Sequence, residues 1–173
     1  MTFAQHVLHF TKTLHPHLPL PPGFDLLFPY DNPETLAVMT AFYEKYYNDN
    51  NNRIFIFGIN PGRFGAGVTG VPFTDPIRLE TECNIENNFN KKPELSSVFV
   101  YQFIHAYGGL EKFYNDFYIT SLSPLGFTKN GININYYDDR KLQEAVEPFI
   151  IASIQTQQQF GASRKVALCM GQG

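Results

Sequence analysis

A short apolar run, Arg53-Ile54-Phe55-Ile56-Phe57-Gly58, limits the possible folds of this chain more than any other feature. A run of this length without polar alternation predicts a strand that is buried on both faces, as in a parallel sheet. A glycine-rich loop leaves the carboxyl end of this strand, and we call residues 58–73 the motif loop. Because ligands of open α/β sheets bind beyond the carboxyl ends of the strands, we expect the function to reside there.

The remaining segments predict an alternation of helices and strands. Apolar residues at helical spacing predict four helices: Ala4–Leu14, Pro33–Tyr47, Ser96–Tyr107 and Leu142–Gln159. Two further apolar runs, Phe117–Thr120 and Lys165–Met170, predict buried strands. This order indicates a three-layer α/β/α sandwich with a central, mostly parallel sheet, and it places function in the loops after Phe57, Thr120 and Met170.

Composition restricts the class of protein. A chain of 173 residues, 43% hydrophobic and 17% charged, fits one packed domain. A net charge of -3 excludes nucleic-acid binding through bulk positive charge, so any such contact must be local. We find no run long enough to predict a membrane span and no secretory leader, and we expect a cytoplasmic or nucleoid protein without membrane contact.

The motif loop places one polar amide between residues that restrict the backbone. Asn60 follows Gly58-Ile59 and precedes Pro61-Gly62, directly after the buried strand. The loop lacks the phosphate-binding spacing G-x-x-x-x-G-K-[ST], and its glycines taken alone predict a tight turn. An amide held in this way is placed to orient a ligand.

The motif loop resembles that of the uracil-DNA glycosylase superfamily. The resemblance is carried by Gly58-Ile59-Asn60-Pro61-Gly62, by Phe64-Gly65 and by Thr69-Gly70-Val71-Pro72-Phe73. The interval from Asn60 to Phe73 is most similar to the single-strand-selective monofunctional uracil-DNA glycosylases. Mismatch-specific uracil and thymine glycosylases share the Gly-Ile-Asn-Pro-Gly start and remain an alternative. The resemblance implies a uracil-DNA glycosylase-like fold.

The resemblance also implies an activity, hydrolysis of the N-glycosidic bond of uracil in DNA during base excision repair. Asn60 would be the catalytic residue and position a water molecule, because an amide cannot act as a general base near neutral pH. Phe73 would stack on the flipped base. Ile59 and Gly62 would line the base site, with the N–H of Ile59 stabilising negative charge on the leaving base.

The segment after the second predicted strand departs from the family. In Thr120-Ser121-Leu122-Ser123-Pro124-Leu125, Ser121 occupies the position of an asparagine that reads the uracil edge. A hydroxyl cannot offer the two-point face of an amide, so we expect the substrate range to extend toward hypoxanthine or xanthine. Ser123, Pro124 and Arg63 are candidates for DNA contacts, and Lys129 is a weaker one.

A second departure concerns the end of the sequence. The family's His-Pro loop follows the last strand and would lie beyond Gly173, together with the residue that wedges into the vacated stack. We therefore expect residues 1–173 to form a single domain that is truncated at its carboxyl end. Without the histidine donor, the barrier would rise by about 2.7 to 4 kcal/mol.

The sequence also leaves alternative functions open and indicates which partners the protein binds. A non-catalytic nucleic-acid or protein-interaction domain of the same fold remains open. A Rossmann-type enzyme is disfavoured, because the strand is not followed by the glycine pattern with an acidic residue about 20 positions further on. The five histidines lack ligand spacing, so we expect no metal and no cofactor. We expect a monomer that binds DNA containing uracil or another deaminated base.

Overall fold

A computed structural model describes residues 1–14 and 16–171, in which six strands and seven α-helices are formed. The strands are β1 (Phe24–Leu27), β2 (Arg53–Gly58), β3 (Phe117–Ser121), β4 (Gly126–Lys129), β5 (Ile132–Ile134) and β6 (Ala162–Cys169). The helices are α1 (Phe3–Thr13), α2 (Pro33–Tyr47), α3 (Ala66–Thr69), α4 (Pro76–Thr81), α5 (Leu95–Tyr107), α6 (Leu110–Asp116) and α7 (Arg140–Gln157). Within the described ranges, no helix combines the length and apolarity that a bilayer span requires.

A parallel sheet with the strand order β3-β2-β6 forms the centre of the fold. Its central strand, β2, pairs in parallel with both neighbours, with Phe57 opposite Thr120 on one side and Cys169 on the other. The three strands therefore end at the same side of the sheet, which we call the carboxyl edge. This arrangement, with helices around the sheet, confirms the predicted α/β fold class and the positions of the three strands.

The predicted helices are also confirmed, and their ends follow from local capping. Asn32 is the N-cap of α2, where its side chain accepts hydrogen bonds from the N–H groups of Glu34 and Thr35. Pro33 occupies the first turn, as predicted. Gly108, at a φ of 127°, ends α5 in a conformation that favours glycine.

A second, antiparallel sheet escaped the sequence analysis. Its strand order is β1-β4-β5, and none of these three strands was predicted. Gly126, at the start of β4, lies against the carbonyl oxygen of Pro61, where any Cβ would overlap that oxygen. This close approach places the antiparallel sheet directly against the motif loop.

The prediction that the third strand is buried is wrong. In β6, Val166 is 50% exposed and Leu168 is 44% exposed, and Cys169 is also exposed. Within residues 1–14 and 16–171, β6 pairs only with β2, so no described strand covers its other side.

At the amino end of β2, the buried Arg53 ties together the strand and the surrounding helices. Its guanidinium forms two hydrogen bonds of 2.8 Å with the carboxylate of Asp49 and one of 2.7 Å with the carbonyl oxygen of Tyr114. Its Cζ lies 4.9 Å from the ring centroid of Phe3 and 4.7 Å from that of Tyr47. Hydrogen bonding lowers the pKa of Asp49, so the pair stays charged.

We expect Arg53→Met to lower the free energy of unfolding by at least about 2 kcal/mol, because it removes the buried partner of the partly exposed Asp49 and leaves buried carbonyl oxygens unsatisfied. The matched control is Arg140→Met, whose pair with Glu144 is exposed and should contribute less than about 1 kcal/mol. Urea unfolding of both variants measures the difference. Equal losses would show that burial of Arg53 does not matter.

Candidate active site

The loops after β2 and β3 are held together beyond the ends of their strands. Leu122 N–H donates to the carbonyl oxygen of Gly58 at 2.9 Å, and Ser123 N–H donates to that of Ile59 at 3.1 Å. On the other side, Met170 N–H donates to the carbonyl oxygen of Phe57 at 2.7 Å. Sheet pairing therefore extends to the carboxyl edge and orients the first residues of the motif loop.

Thr69 closes the motif loop on itself. This residue is fully buried, and its Oγ1 donates to the carbonyl oxygen of Thr74 at 2.7 Å and accepts from the N–H of Val71 at 3.1 Å. A second threonine, Thr35 of α2, donates to the carbonyl oxygen of Val68 at 2.8 Å. These hydrogen bonds fold the motif loop back on itself, so that its last residues lie next to the end of β2, where the loop begins.

The returning segment places Phe73 on the end of β2. A Cβ at Gly58 would overlap the ring of Phe73, so the ring lies directly against the backbone of that glycine. Phe73 has a φ of 53°, in the left-handed region that is uncommon for a side chain of this size. Phe73 is half-buried. Its ring therefore remains partly accessible at the carboxyl edge.

The side chain of Asn60 is oriented by backbone groups of the segment after β5. Its Oδ1 accepts from the N–H of Tyr136 at 3.2 Å, and its Nδ2 donates to the carbonyl oxygen of Ile134 at 3.4 Å. A donor faces the oxygen and an acceptor faces the nitrogen, which determines the orientation of the amide. Asn60 is half-buried, and its Oδ1 retains a second lone pair.

The expectation that the motif loop lacks the dinucleotide-binding glycine spacing is wrong, because the loop contains Gly65-x-Gly67-x-x-Gly70. The structure does not support that function. The pattern begins well past the end of β2, α3 has four residues, and Gly70 ends it in the left-handed conformation. Gly70 lies against Met39 and Thr35 of α2, so it serves packing.

The sequence analysis missed a carboxyl group beneath the motif loop. The carboxylate of Glu94 lies where Cβ atoms of Gly62 and Gly65 would be, so a side chain at either position would displace this carboxylate. Its Oε2 accepts from Ser97 Oγ at 3.3 Å, and its N–H donates to the carboxylate of Asp75 at 2.9 Å. Burial, and to a lesser extent the negative charge of Asp75, raises the pKa of Glu94. In sequence, Glu94 only marks the start of α5.

Ser121 lies at the end of β3, opposite Gly58, and is buried. It lines a cavity of about 20 Å³ together with Thr120, Pro61 and Gln157. Gln157 is almost fully buried, and its Oε1 accepts from Thr120 Oγ1 at 2.8 Å, whereas its Nε2 has no partner among the described residues. A cavity of this size can hold one water molecule but not a nucleobase.

Of the four predicted DNA-contact residues, the structure places Arg63 and Lys129 on the surface. Ser123 is fully buried, and its hydroxyl donates to the carbonyl oxygen of Leu125 at 2.7 Å. Pro124 is also buried, and its carbonyl oxygen accepts from Tyr30 Oη at 2.9 Å. Because these groups are committed within the turn, the predicted contacts of Ser123 and Pro124 with DNA are corrected to an internal role.

Two comparisons with known proteins agree with this geometry. A family model described as the uracil DNA glycosylase superfamily matches residues 44–173. A crystal structure of wild-type SMUG2 from Pedobacter heparinus is 48% identical, with a TM-score of 0.96, and the match covers 100% of this chain and 77% of that one. A search of curated proteins found no match.

The chain belongs to the uracil DNA glycosylase superfamily, and it is a DNA glycosylase. Within that class, its similarity to SMUG2 confirms the predicted resemblance to the single-strand-selective monofunctional uracil-DNA glycosylases. The alternative of a non-catalytic domain is thereby overturned. The glycines at positions 171 and 173 are typical of a turn before a further helix, but positions 172 and 173 lie outside the described residues.

The raised pKa of Glu94 predicts a pH-dependent effect of Glu94→Gln. Because folding favours the protonated carboxyl group, its contribution to stability is greatest below the ordinary pKa of 4.5 and is lost as the pH rises through the higher pKa of the folded state. Glutamine does not titrate. The free energy of unfolding of the variant minus that of the wild type should therefore grow with pH over this range and then level off, as measured by urea unfolding. A constant or narrowing difference would contradict this assignment.

Proposed function

We propose that this protein is a monofunctional glycosylase that hydrolyses the bond between uracil and C1′ of deoxyribose in DNA. In this proposal, Asn60 is the residue that positions the water molecule. The observation that supports this most is the joint placement of Asn60 and Phe73 at the end of β2. The amide is oriented by backbone groups, and the aromatic ring lies on the strand end beside it.

The reaction needs orientation of water more than its deprotonation. As the bond to the base breaks, the sugar gains positive charge and the base leaves with the electron pair. A water molecule that donates a hydrogen bond to Asn60 Oδ1 would form the new bond to C1′ and then lose a proton to solvent. Orientation of this kind can lower a barrier by several kcal/mol without a general base.

Groups around Asn60 supply the remaining roles. Phe73 would stack on the flipped base, and Gly62 would let the base approach the backbone closely. The N–H of Ile59 donates to no acceptor among the described residues and is available to the departing base. Ser121 would contact the edge of the base once the small cavity beside it widens on binding, and Arg63 would contact a phosphate. The motif loop contains no lysine for a Schiff base, which favours a monofunctional reaction that leaves an abasic site.

We expect Asn60→Ala to lower kcat on a uracil-containing oligonucleotide by at least about 100-fold, because the water molecule loses its acceptor. Single-turnover cleavage, scored with and without alkali, measures the abasic product, and the Kd for uncleavable DNA should change little. The matched control is Asn133→Ala, which removes another amide bond between the motif loop and the β4–β5 hairpin. Equal losses of kcat in both variants would show that Asn60 acts only as a structural tie.

Ser121 predicts a broader substrate range than an asparagine would allow. One hydroxyl can donate or accept toward different base edges, so we expect excision of hypoxanthine and xanthine as well as uracil. Defined oligonucleotides that carry each base compare the three rates. Ser121→Asn should shift the ratio of rates toward uracil. Strict uracil specificity of the wild type would contradict the role assigned to Ser121.

A further inference from the structure

Two cationic side chains contact the ring of Phe64 in the motif loop. We call this part of the surface the outer turn. The Cζ of Arg63 lies 4.6 Å from the ring centroid of Phe64, and the Nζ of Lys92 lies 5.1 Å from the same centroid. Such contacts restrain a side chain without neutralising its charge. The turn therefore presents two positive charges at defined positions.

Neither cation is neutralised by a carboxylate. Among the described residues, no carboxylate oxygen lies within 4 Å of the charged nitrogens of Arg63 or Lys92, and both residues are exposed. Other cations differ. Lys91 pairs with Glu80 at 2.6 Å, and Lys129 pairs with Asp139 at 3.2 Å. In a chain of negative net charge, the outer turn is thus a local positive site.

The tip of the β4–β5 hairpin continues this surface. The Nη1 of Arg63 donates to the carbonyl oxygen of Gly131, and the N–H of Arg63 donates to Asn133 Oδ1 at 3.2 Å. Between these two residues, Ile132 is 68% exposed, which is high for a large apolar side chain. We call Lys92, Phe64, Arg63 and Ile132 the flank strip.

The flank strip adjoins the catalytic amide. Ile134, two positions after Ile132 in the same hairpin, provides the carbonyl oxygen to which Asn60 Nδ2 donates. The strip thus extends outward from the point where the damaged nucleotide would be held. A nucleic acid strand presents phosphates at regular intervals with apolar base faces and sugars between them, which matches cations next to an exposed apolar side chain.

We propose that the flank strip binds the DNA strand that carries the damaged base, on one side of that base. Lys92 and Arg63 contact phosphates, and Ile132 packs against a neighbouring base or sugar. The inference rests on the proposed function, which supplies the position of the damaged nucleotide. It goes further in naming a surface that contacts undamaged nucleotides and that a very short substrate cannot reach.

Substrate length tests this proposal. The ratio of kcat/KM on an oligonucleotide of about 20 nucleotides to that on one of about five should fall at least about threefold in Lys92→Ala and in Ile132→Ser. The variants should differ in salt dependence. For binding to uncleavable single-stranded DNA, the logarithm of the association constant is plotted against the logarithm of the salt concentration. In Lys92→Ala, the slope of this plot should be smaller in magnitude by about 0.7. Ile132→Ser should leave the slope unchanged.

The matched control is Lys112→Ala. Its Nζ lies 4.8 Å from the ring centroid of Tyr107, so it too is an exposed lysine on an aromatic ring, but on the helix that precedes β3. In Lys112→Ala, the ratio of kcat/KM on the long to that on the short oligonucleotide, and the slope of the salt dependence of binding, should both equal those of the wild type. Full cleavage with an unchanged ratio in Lys92→Ala and Ile132→Ser would overturn the flank strip but not the proposed function. If the wild type cleaved no uracil, the proposed function would fail, and an unchanged binding slope in Lys92→Ala would overturn the strip independently.

Discussion

The contact between the ring of Phe73 and the backbone of Gly58 is the constraint on which the rest of the site depends. It exists because the chain leaves β2 at a residue without a side chain and returns to cover that residue. The return requires the buried hydrogen bonds of Thr69 and the positive φ of Phe73. A compact loop with both of its ends at one strand terminus holds an aromatic ring and an amide together more rigidly than two separate loops could.

Asn60 joins two parts of the fold as well as serving the proposed chemistry. It lies at the end of the parallel sheet, and its amide bonds to the backbone beyond β5 of the antiparallel sheet. A water-positioning group gains from this, because an amide held by a donor and an acceptor cannot rotate between its two orientations. The same bonds place the β4–β5 hairpin, and therefore the flank strip, next to the position that we propose for the damaged nucleotide.

Sequence patterns predicted the central sheet and its helices well, because each element carried its signal within its own residues. The apolar run of β2 and the Asn32-Pro33 cap of α2 are such signals. The antiparallel sheet was missed because β5 has three residues and β1 and β4 have four each, too few for alternation to be visible. The structure does not support the expected contact of Ser123 with DNA, because its hydroxyl bonds within its own turn, which the residue type does not reveal.

By itself, the sequence determined the family and the strand from which the motif loop departs, and it singled out Asn60 and Phe73 as candidate site residues. These features are written in contiguous residues, where turn chemistry and periodicity act over short distances. Tertiary structure alone decided that Glu94 fills the space beside Gly62 and that backbone groups at the end of β5 and just beyond it orient Asn60. Those contacts join residues far apart in the chain, and only packing of the complete fold selects them.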